Sequence, residues 1–395
     1  MIGAGVFAVF APAAQSAGTG LLLSLLIAAV VATCNATSSA QLAAVYPQSG
    51  GTYVYGRERL GPWWGFLAGW SFVIGKTASC AAMAMTFAAY AAPDGWERPV
   101  AVIAVLLLAF VNYRGVTRTA RLTLIIVTVV LAVLAVVVAS GVASGLPQLE
   151  WRLPDPGVAA GLGILQAAGL LFFAFAGYAR IATMGEEVKD PSRTIPRAIL
   201  IALGLAVVVY GSVAVTVLGV LGPTALASAD EPLTAAVQAS GWDWAVPVVQ
   251  MGGAAASLGA LLALMAGIGR TSLAMARESD LPRWFAAVHP RYQVPHRAEV
   301  ALAVVVTVLV LTLDLRGAIG FSSFGVLLYY FIANLAAATQ PAEVRRYPRL
   351  LQVIGMVGCA VLALLLPLPS VLGGLTVLAV GVLVRALSLR RRSSS

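Results

Sequence analysis

The fold is decided by two glycine-bearing interruptions in apolar sequence. The chain opens Met1-Ile2-Gly3-Ala4-Gly5-Val6-Phe7, and this apolar run reaches only about residue 12. A second run, 162–184, contains Phe172-Phe173-Ala174-Phe175-Ala176-Gly177-Tyr178 in its interior. A helix needs about 20 apolar residues to cross a bilayer. Paired interruptions of this kind predict two discontinuous membrane helices, the arrangement in which secondary transporters hold a substrate.

The composition excludes a soluble protein. Hydrophobic residues make up 60% of the 395 residues, charged residues 10%, and the mean hydropathy is +0.92. A chain of this kind would expose too much apolar surface in water, so we expect one integral-membrane domain over residues 1–395. Cys34, Cys80 and Cys359 lie within apolar runs and are interpreted as small hydrophobic side chains. The sequence predicts no metal site and no cofactor.

Twelve apolar stretches predict twelve membrane spans. They cover residues 2–12, 21–45, 64–92, 100–110, 122–142, 162–184, 199–221, 246–273, 300–313, 319–338, 351–366 and 371–387. The interruptions fall in the first and the sixth span, an offset of five spans, which favours an all-α fold of two five-span repeats with inverted topology. The first repeat would then be 1–142, the second 162–338, and two further spans would lie at 351–387.

Charge predicts the orientation. When the loops alternate, one side receives 20 of the 25 lysines and arginines and the other receives Arg98, Arg152 and Arg316. The positive-inside rule places the first side, with the C-terminus, in the cytoplasm of a multi-pass protein of the cell membrane. The cations lie in short loops at span ends, so we expect contact with lipid and not with nucleic acid. The first span is too short, which predicts that its first half and a cytoplasmic tail are missing upstream.

The interruptions predict a binding site made of main-chain groups. An unwound helix frees N–H groups at one end, which suit a carboxylate, and carbonyls at the other, which suit an ammonium group. Gly3 and Gly5 would let a zwitterion approach the main chain closely. The alternative is that these glycines are helix-packing positions, as in any membrane bundle.

Four segments resemble the amino acid–polyamine–organocation superfamily of permeases. They are IGAGVF at 2–7, YPQSGGTYVYGRERLGPWWGFLAGW at 46–70, FFAFAGYARIATMGEEVKDPSRTIPRAI at 172–199 and GRTSLAMARESDLPRWFAAVHPRYQVPHRA at 269–298. The resemblance covers essentially the whole chain and implies a leucine-transporter-type fold and amino-acid transport. In that family the two interrupted segments hold the substrate. The substrate-binding residues implied here are Gly3, Ala4, Gly5, Phe173, Phe175, Ala176 and Gly177.

The resemblance also implies gates. An aromatic at the sixth-span break closes over the substrate in such permeases, which favours Phe175 and, second, Tyr178; packing bulk is the alternative for both. Glu186 and Glu187 follow the sixth span and are candidates for an inner gate or for an ordinary solvated loop. Residues 46–55 are predicted to contribute to the same gate.

Two charges fall within predicted spans, Lys76 and Arg180, and no acidic residue does. An ionisable residue at membrane depth indicates function, so Lys76 is the candidate for proton coupling; a structural role, held by backbone oxygens, is the alternative. Sodium coupling through Ser257, Thr271 and Ser272 ranks below it. Positive groups without acids nearby favour neutral or anionic amino acids over cationic ones.

Other classes of function fit less well. His289 and His296 share a loop without the spacing of a zinc-enzyme motif, so we do not expect an enzyme. A channel would show pore-lining rings contributed by an oligomer. Within carriers, the alternative is an amino-acid or amine exchanger or exporter, including one for cationic amino acids or polyamines.

Overall fold

The computed structural model describes residues 2–47, 50–115, 120–147, 158–177 and 188–393, and these residues contain no β-strand. The predicted all-α fold is therefore confirmed. The α-helices are α1 (Gly5–Ala8), α2 (Phe10–Ala17), α3 (Leu21–Val45), α4 (Thr52–Leu60), α5 (Pro62–Ala91), α6 (Glu97–Tyr113), α7 (Ala120–Ala143), α8 (Val158–Phe175), α9 (Pro191–Ser228), α10 (Pro232–Ala239), α11 (Val246–Arg277), α12 (His296–Thr312), α13 (Leu315–Ala338), α14 (Arg349–Leu364) and α15 (Leu368–Ser393).

Every predicted span overlaps a helix, and the first corresponds to α1 and α2 together. Within the described ranges, seven stretches are long and apolar enough to cross a membrane: Phe10–Val45, Pro62–Ala91, Leu122–Ala143, Pro191–Ser228, Asp243–Arg277, Leu315–Ala338 and Leu368–Arg390. The other predicted spans fall on shorter helices. At 1.5 Å per residue, the 17 residues of α6 or α12 extend about 25 Å. The number of spans and the inverted repeat remain predictions.

The outer helices carry large exposed apolar side chains, as a lipid-facing surface requires. Leu107 on α6 is 60% exposed and Ile201 on α9 is 71% exposed. In contrast, α5 and α13 are largely buried at the centre of the bundle. The apolar exposure fits a protein whose solvent is the acyl-chain region of a bilayer.

Polar side chains join the buried helices to each other. Asn334 on α13 donates a hydrogen bond to Asn35 Oδ1 on α3 (2.6 Å) and accepts one from Ser38 Oγ (2.7 Å). Such interhelical hydrogen bonds fix the relative position of helices where water is absent.

Helices α5 and α11 pack antiparallel, in a register that two glycines mark. A Cβ on Gly69 would lie 2.8 Å from Met275 Sδ, and one on Gly253 would lie 2.8 Å from the Tyr90 ring. Residue numbers therefore increase along α5 in the direction in which they decrease along α11. The start of α5 and the end of α11 lie on the side of the arginine-rich connections between spans, which carry Arg57 and Arg283. We call this the basic side.

Candidate functional site

The two interrupted segments meet at the centre of the molecule. Gly5, the first residue of α1, lies against Ala174 near the end of α8, and a Cβ on Gly5 would come within 2.8 Å of Ala174 Cα. That distance is too short for any side chain, so glycine is required for the two backbones to touch. Val9, between α1 and α2, has helical dihedral angles (φ −85°, ψ −23°), and these helices form one nearly continuous rod.

Helix α8 ends at Phe175, inside the run 162–184, and Ala176 and Gly177 follow as a 3₁₀ turn. Its last carbonyls are bonded by side chains from other helices. Lys76 Nζ donates a hydrogen bond to Ala176 O (3.1 Å), and Tyr210 Oη donates one to Ala174 O (3.2 Å). Lys76 is 5% exposed, so its ammonium group lies within the bundle and against the end of α8.

A cavity of about 940 Å³ opens where these segments meet. Gly3, Ala4 and Gly5 line it from the first segment, and Ala174 and Gly177 line it from the second. The other walls near these residues come from α5, α7, α8 and α11 and are mainly apolar: Phe72, Met83, Ile126, Val130, Phe173, Ala256 and Ala260.

The cavity continues toward the basic side. Gly115, after α6, and Tyr292 and Gln293, before α12, line this part together with Arg270. The central cavity therefore reaches the loops of the basic side.

The two aromatics predicted to bind substrate differ in position. Phe173 lines the cavity. Phe175 was also the first candidate for the gate. Phe175 is fully buried and packs against Tyr210, with ring centroids 5.2 Å apart. A gating role for Phe175 would require it to leave this contact. Tyr178, Arg180, Glu186 and Glu187 lie outside the described residues.

No acidic residue was expected in the interior of a span, but the structure buries one directly before the predicted span 300–313. Glu299 lies in the first turn of α12, is 3% exposed and lines the cavity. It escaped the sequence analysis because the apolar run begins one residue later, at Val300. The available signal was its place in the first helical turn after Pro295, since a helix can begin before its apolar run does.

A buried ion cluster holds the basic side together. Asp280, after α11, accepts hydrogen bonds from Tyr53 Oη (2.8 Å) and Arg57 Nη1 (3.3 Å) on α4, and Arg385 Nη2 on α15 lies 2.9 Å from its other oxygen. The pKa of Asp280 is raised above its usual value. Burial raises it, and the hydrogen bond from Tyr53 and the charges of Arg385 and Arg57 offset only part of this effect. The predicted gate segment 46–55 overlaps the start of α4, and its Tyr53 belongs to this cluster.

On the opposite side, Arg316 joins three elements. From the start of α13 its guanidinium donates hydrogen bonds to Gln15 Oε1 (3.1 Å) and Ser16 Oγ (2.8 Å) at the end of α2, and to Gln166 Oε1 (3.1 Å) on α8. Gln15 in turn donates to Ala227 O (2.8 Å). This network closes the bundle on the side away from the basic loops.

The alternative coupling-ion candidates are dispersed along one helix. Ser257 is fully buried on α11, and Thr271 Oγ1 donates to Gly267 O (3.1 Å) a few turns further on. Across the described ranges there is no group of three histidine, cysteine or acidic residues that could hold a metal ion.

Comparison with known proteins identifies permeases and transporters as the relatives of this chain. The profile of the family described as amino acid permease matches residues 1–381. An uncharacterised transporter of Mycobacterium tuberculosis is 59% identical over 97% of this chain and 86% of its own length. A chloroplastic cationic amino acid transporter of Arabidopsis thaliana is 29% identical, over 85% of this chain and 62% of the relative. A branched-chain amino acid permease of Bacillus subtilis is 26% identical, over 75% and 68%.

Proposed function

Because the chain belongs to the amino acid permease family, we propose that it carries amino acids across the cell membrane by alternating access, with the zwitterion bound where α1 meets α8. The observation that carries this proposal is the contact between Gly5 and Ala174 at the wall of the central cavity. It brings the start of one interrupted helix to the end of another.

The chemistry of the two helix ends suits an amino acid head group. The start of α1 presents N–H groups that favour a carboxylate. At the end of α8 the carbonyls of Ala174 and Ala176 each accept one hydrogen bond, from Tyr210 and Lys76, and keep a second lone pair that favours an ammonium group. Gly3, Ala4, Gly5, Phe173, Phe175, Ala176 and Gly177 are the residues we assign to substrate binding. In this arrangement main-chain groups bind the head group of the amino acid, so no charged side chain is needed to bind it.

The walls around these residues favour a neutral amino acid with an apolar side chain. Met83, Ile126 and Val130 offer contact surface to such a side chain, and Lys76 opposes a second positive charge nearby. The permease of Bacillus subtilis is described as a branched-chain amino acid permease, which agrees with this assignment.

We assign the basic side to the cytoplasm, by the positive-inside rule, and with it the C-terminus. The cavity then faces inward, while the network at Arg316 closes the external side. We assign coupling to protons, with Lys76 as the group that takes up and releases one, since a buried lysine readily changes its protonation.

The test is uptake of a panel of labelled amino acids by purified protein in liposomes, with and without a pH gradient. We expect saturable uptake of neutral apolar amino acids that is faster when the outside is acidic. Counterflow of labelled against unlabelled substrate separates a carrier from a pore. Absence of uptake and of counterflow for every amino acid in the panel would refute the proposal.

A second candidate is exchange or export of cationic amino acids. Glu299 favours it, because a carboxylate in the cavity attracts cations, and the Arabidopsis relative is named a cationic amino acid transporter. The same panel decides between the two: preference for arginine or a polyamine over leucine would establish the second.

A further inference from the structure

Glu299 differs from an ordinary helix-start glutamate in its burial. An acid in the first turn interacts favourably with the helix dipole, and such acids are usually hydrated. Glu97 at the start of α6 is an example: it is exposed and accepts a hydrogen bond from Gly95 N. Glu299 is 3% exposed, and its Oε2 has no hydrogen-bond partner among the described residues. The dipole explains its place in sequence but not an unbonded carboxyl oxygen within the bundle.

The register of α5 and α11 gives the depth of this carboxyl group. Gly69 lies against Met275, and the helices are antiparallel, so the position six residues after Gly69 lies at about the same level along the bundle as Gly269, six residues before Met275. The position on α5 is residue 75, which directly precedes Lys76 in the sequence. A Cβ on Gly269 would lie 2.5 Å from Glu299 Oε1. The carboxyl group therefore lies at about the same depth as the Lys76 backbone, not at the membrane surface.

The groups around Glu299 come from every helix packed against α12. Arg270 on α11 interacts with it electrostatically, as does the Cys80 thiol on α5, one turn from Lys76. Asn112 on α6 lines the same cavity. The short 3₁₀ helix Arg283–Ala286 precedes α12 and begins with the exposed Arg283, and α12 itself carries His296 and Arg297 in its first turn.

We propose that Glu299 is a second proton-binding group of the transport path, which takes up a proton in the cavity and releases it to the basic side. Uptake forms an O–H bond on the carboxylate, and release breaks that bond and returns the proton to water in the cavity, so no other reactant is needed. A desolvated carboxyl without a fixed cationic or hydrogen-bonded partner at its second oxygen is well suited to this, because its neutral form costs less to bury. This inference rests on the proposed function, in particular on proton coupling.

The experiment compares Glu299→Gln with the wild type in liposomes that hold a pH dye. Glutamine keeps the shape of the side chain and cannot release a proton. With one substrate carried per proton, a gradient of one pH unit supports up to about tenfold accumulation of a neutral amino acid. We expect E299Q to lose this accumulation and the accompanying proton flux while it still exchanges labelled for unlabelled substrate. Glu97→Gln is the matched control and should behave as the wild type.

Each result has a definite meaning. Proton-driven accumulation by E299Q equal to that of the wild type overturns the inference and leaves the proposed function intact. A wild type that exchanges amino acids without proton flux, or accumulates them only with sodium, overturns proton coupling and this inference together. If E299Q is inactive in exchange, Glu299→Asp decides: it keeps a carboxyl group at a new position, so an unchanged pH profile of uptake overturns the inference, and a shifted one supports it.

Discussion

At the residue scale, the site depends on a position with no room for a side chain. In Gly5→Ala the new Cβ would lie 2.8 Å from Ala174 Cα and 3.1 Å from its Cβ, and neither atom can rotate away. We expect α1 and α8 to separate and substrate affinity to fall at least tenfold, as judged by equilibrium binding or the KM of uptake, since about 1.4 kcal/mol of lost interaction is sufficient. Gly211→Ala on α9, where a Cβ would meet nothing within 4 Å, is the control. Unchanged affinity in G5A would contradict this geometry.

Lys76 provides a second test at this scale. Lys76→Met removes both the charge and the hydrogen bond to Ala176 O, and Lys76→Arg keeps the charge but cannot release a proton near neutral pH. If Lys76 couples transport to protons, uptake by both variants loses its dependence on pH. If it is a structural plug, the arginine variant retains that dependence. Lys189→Met replaces an exposed lysine and should leave the pH profile unchanged.

At the element scale, the sequence located helices better than it located what lies between them. The bounds of α3 follow directly from the apolar run 21–45, because apolarity alone defines a lipid-embedded helix. Glu299 shows the limit of that reasoning. Whether a polar residue at the end of an apolar run faces water or a neighbouring helix depends on tertiary packing, here against Gly269. Likewise the meeting of Gly5 with Ala174 could be anticipated from the paired interruptions. A bond from Lys76 to a backbone oxygen was one of its two expected roles, but the sequence could not show that this oxygen belongs to Ala176.

The attachment of α15 to the rest of the bundle is testable. Arg385 is 5% exposed, donates a hydrogen bond to Pro62 O (2.8 Å) and pairs with Asp280. Its guanidinium carbon also lies 4.7 Å from the ring centroid of Trp63 and 4.6 Å from that of Phe66. Loss of one partner of a buried pair costs about 3–5 kcal/mol, because the other charge is left in the interior. We expect Arg385→Met to lower the midpoint of thermal unfolding in detergent.

Two further variants make this test specific. Arg349→Met, at the exposed start of α14, should leave the midpoint nearly unchanged. R385M combined with Asp280→Asn should be less destabilised than the sum of the two single variants, since the pair is already broken in each. Strict additivity would show that Arg385 stabilises α15 through its aromatic and carbonyl contacts instead.

At the scale of the whole molecule, the described residues close the cavity on one side and let it extend to the loops on the other. The cavity reaches Tyr292 and Gln293 on the basic side, and Arg316 ties α13 to the end of α2 and to α8 on the far side. A carrier that alternates between two such arrangements is biased by any contact made in only one of them.

Arg316→Gln should therefore shift the population toward the form open at the far side. The hydrogen bonds that this variant loses, to Gln15, Ser16 and Gln166, are made in the form closed at the far side. A change of about 1.4 kcal/mol in the free-energy difference between the two forms changes their ratio tenfold. The measurement is the rate at which a membrane-impermeant thiol reagent, applied from the far side, labels a cysteine placed at Ala260 in the cavity, with the three native cysteines replaced. We expect a rise of about tenfold or more in R316Q. Arg98→Gln alters an arginine on the same side that donates to Leu311 O, and it should not change the rate. Equal labelling in R316Q and the parent protein would mean that the network at Arg316 is present in both forms and does not hold the far side closed.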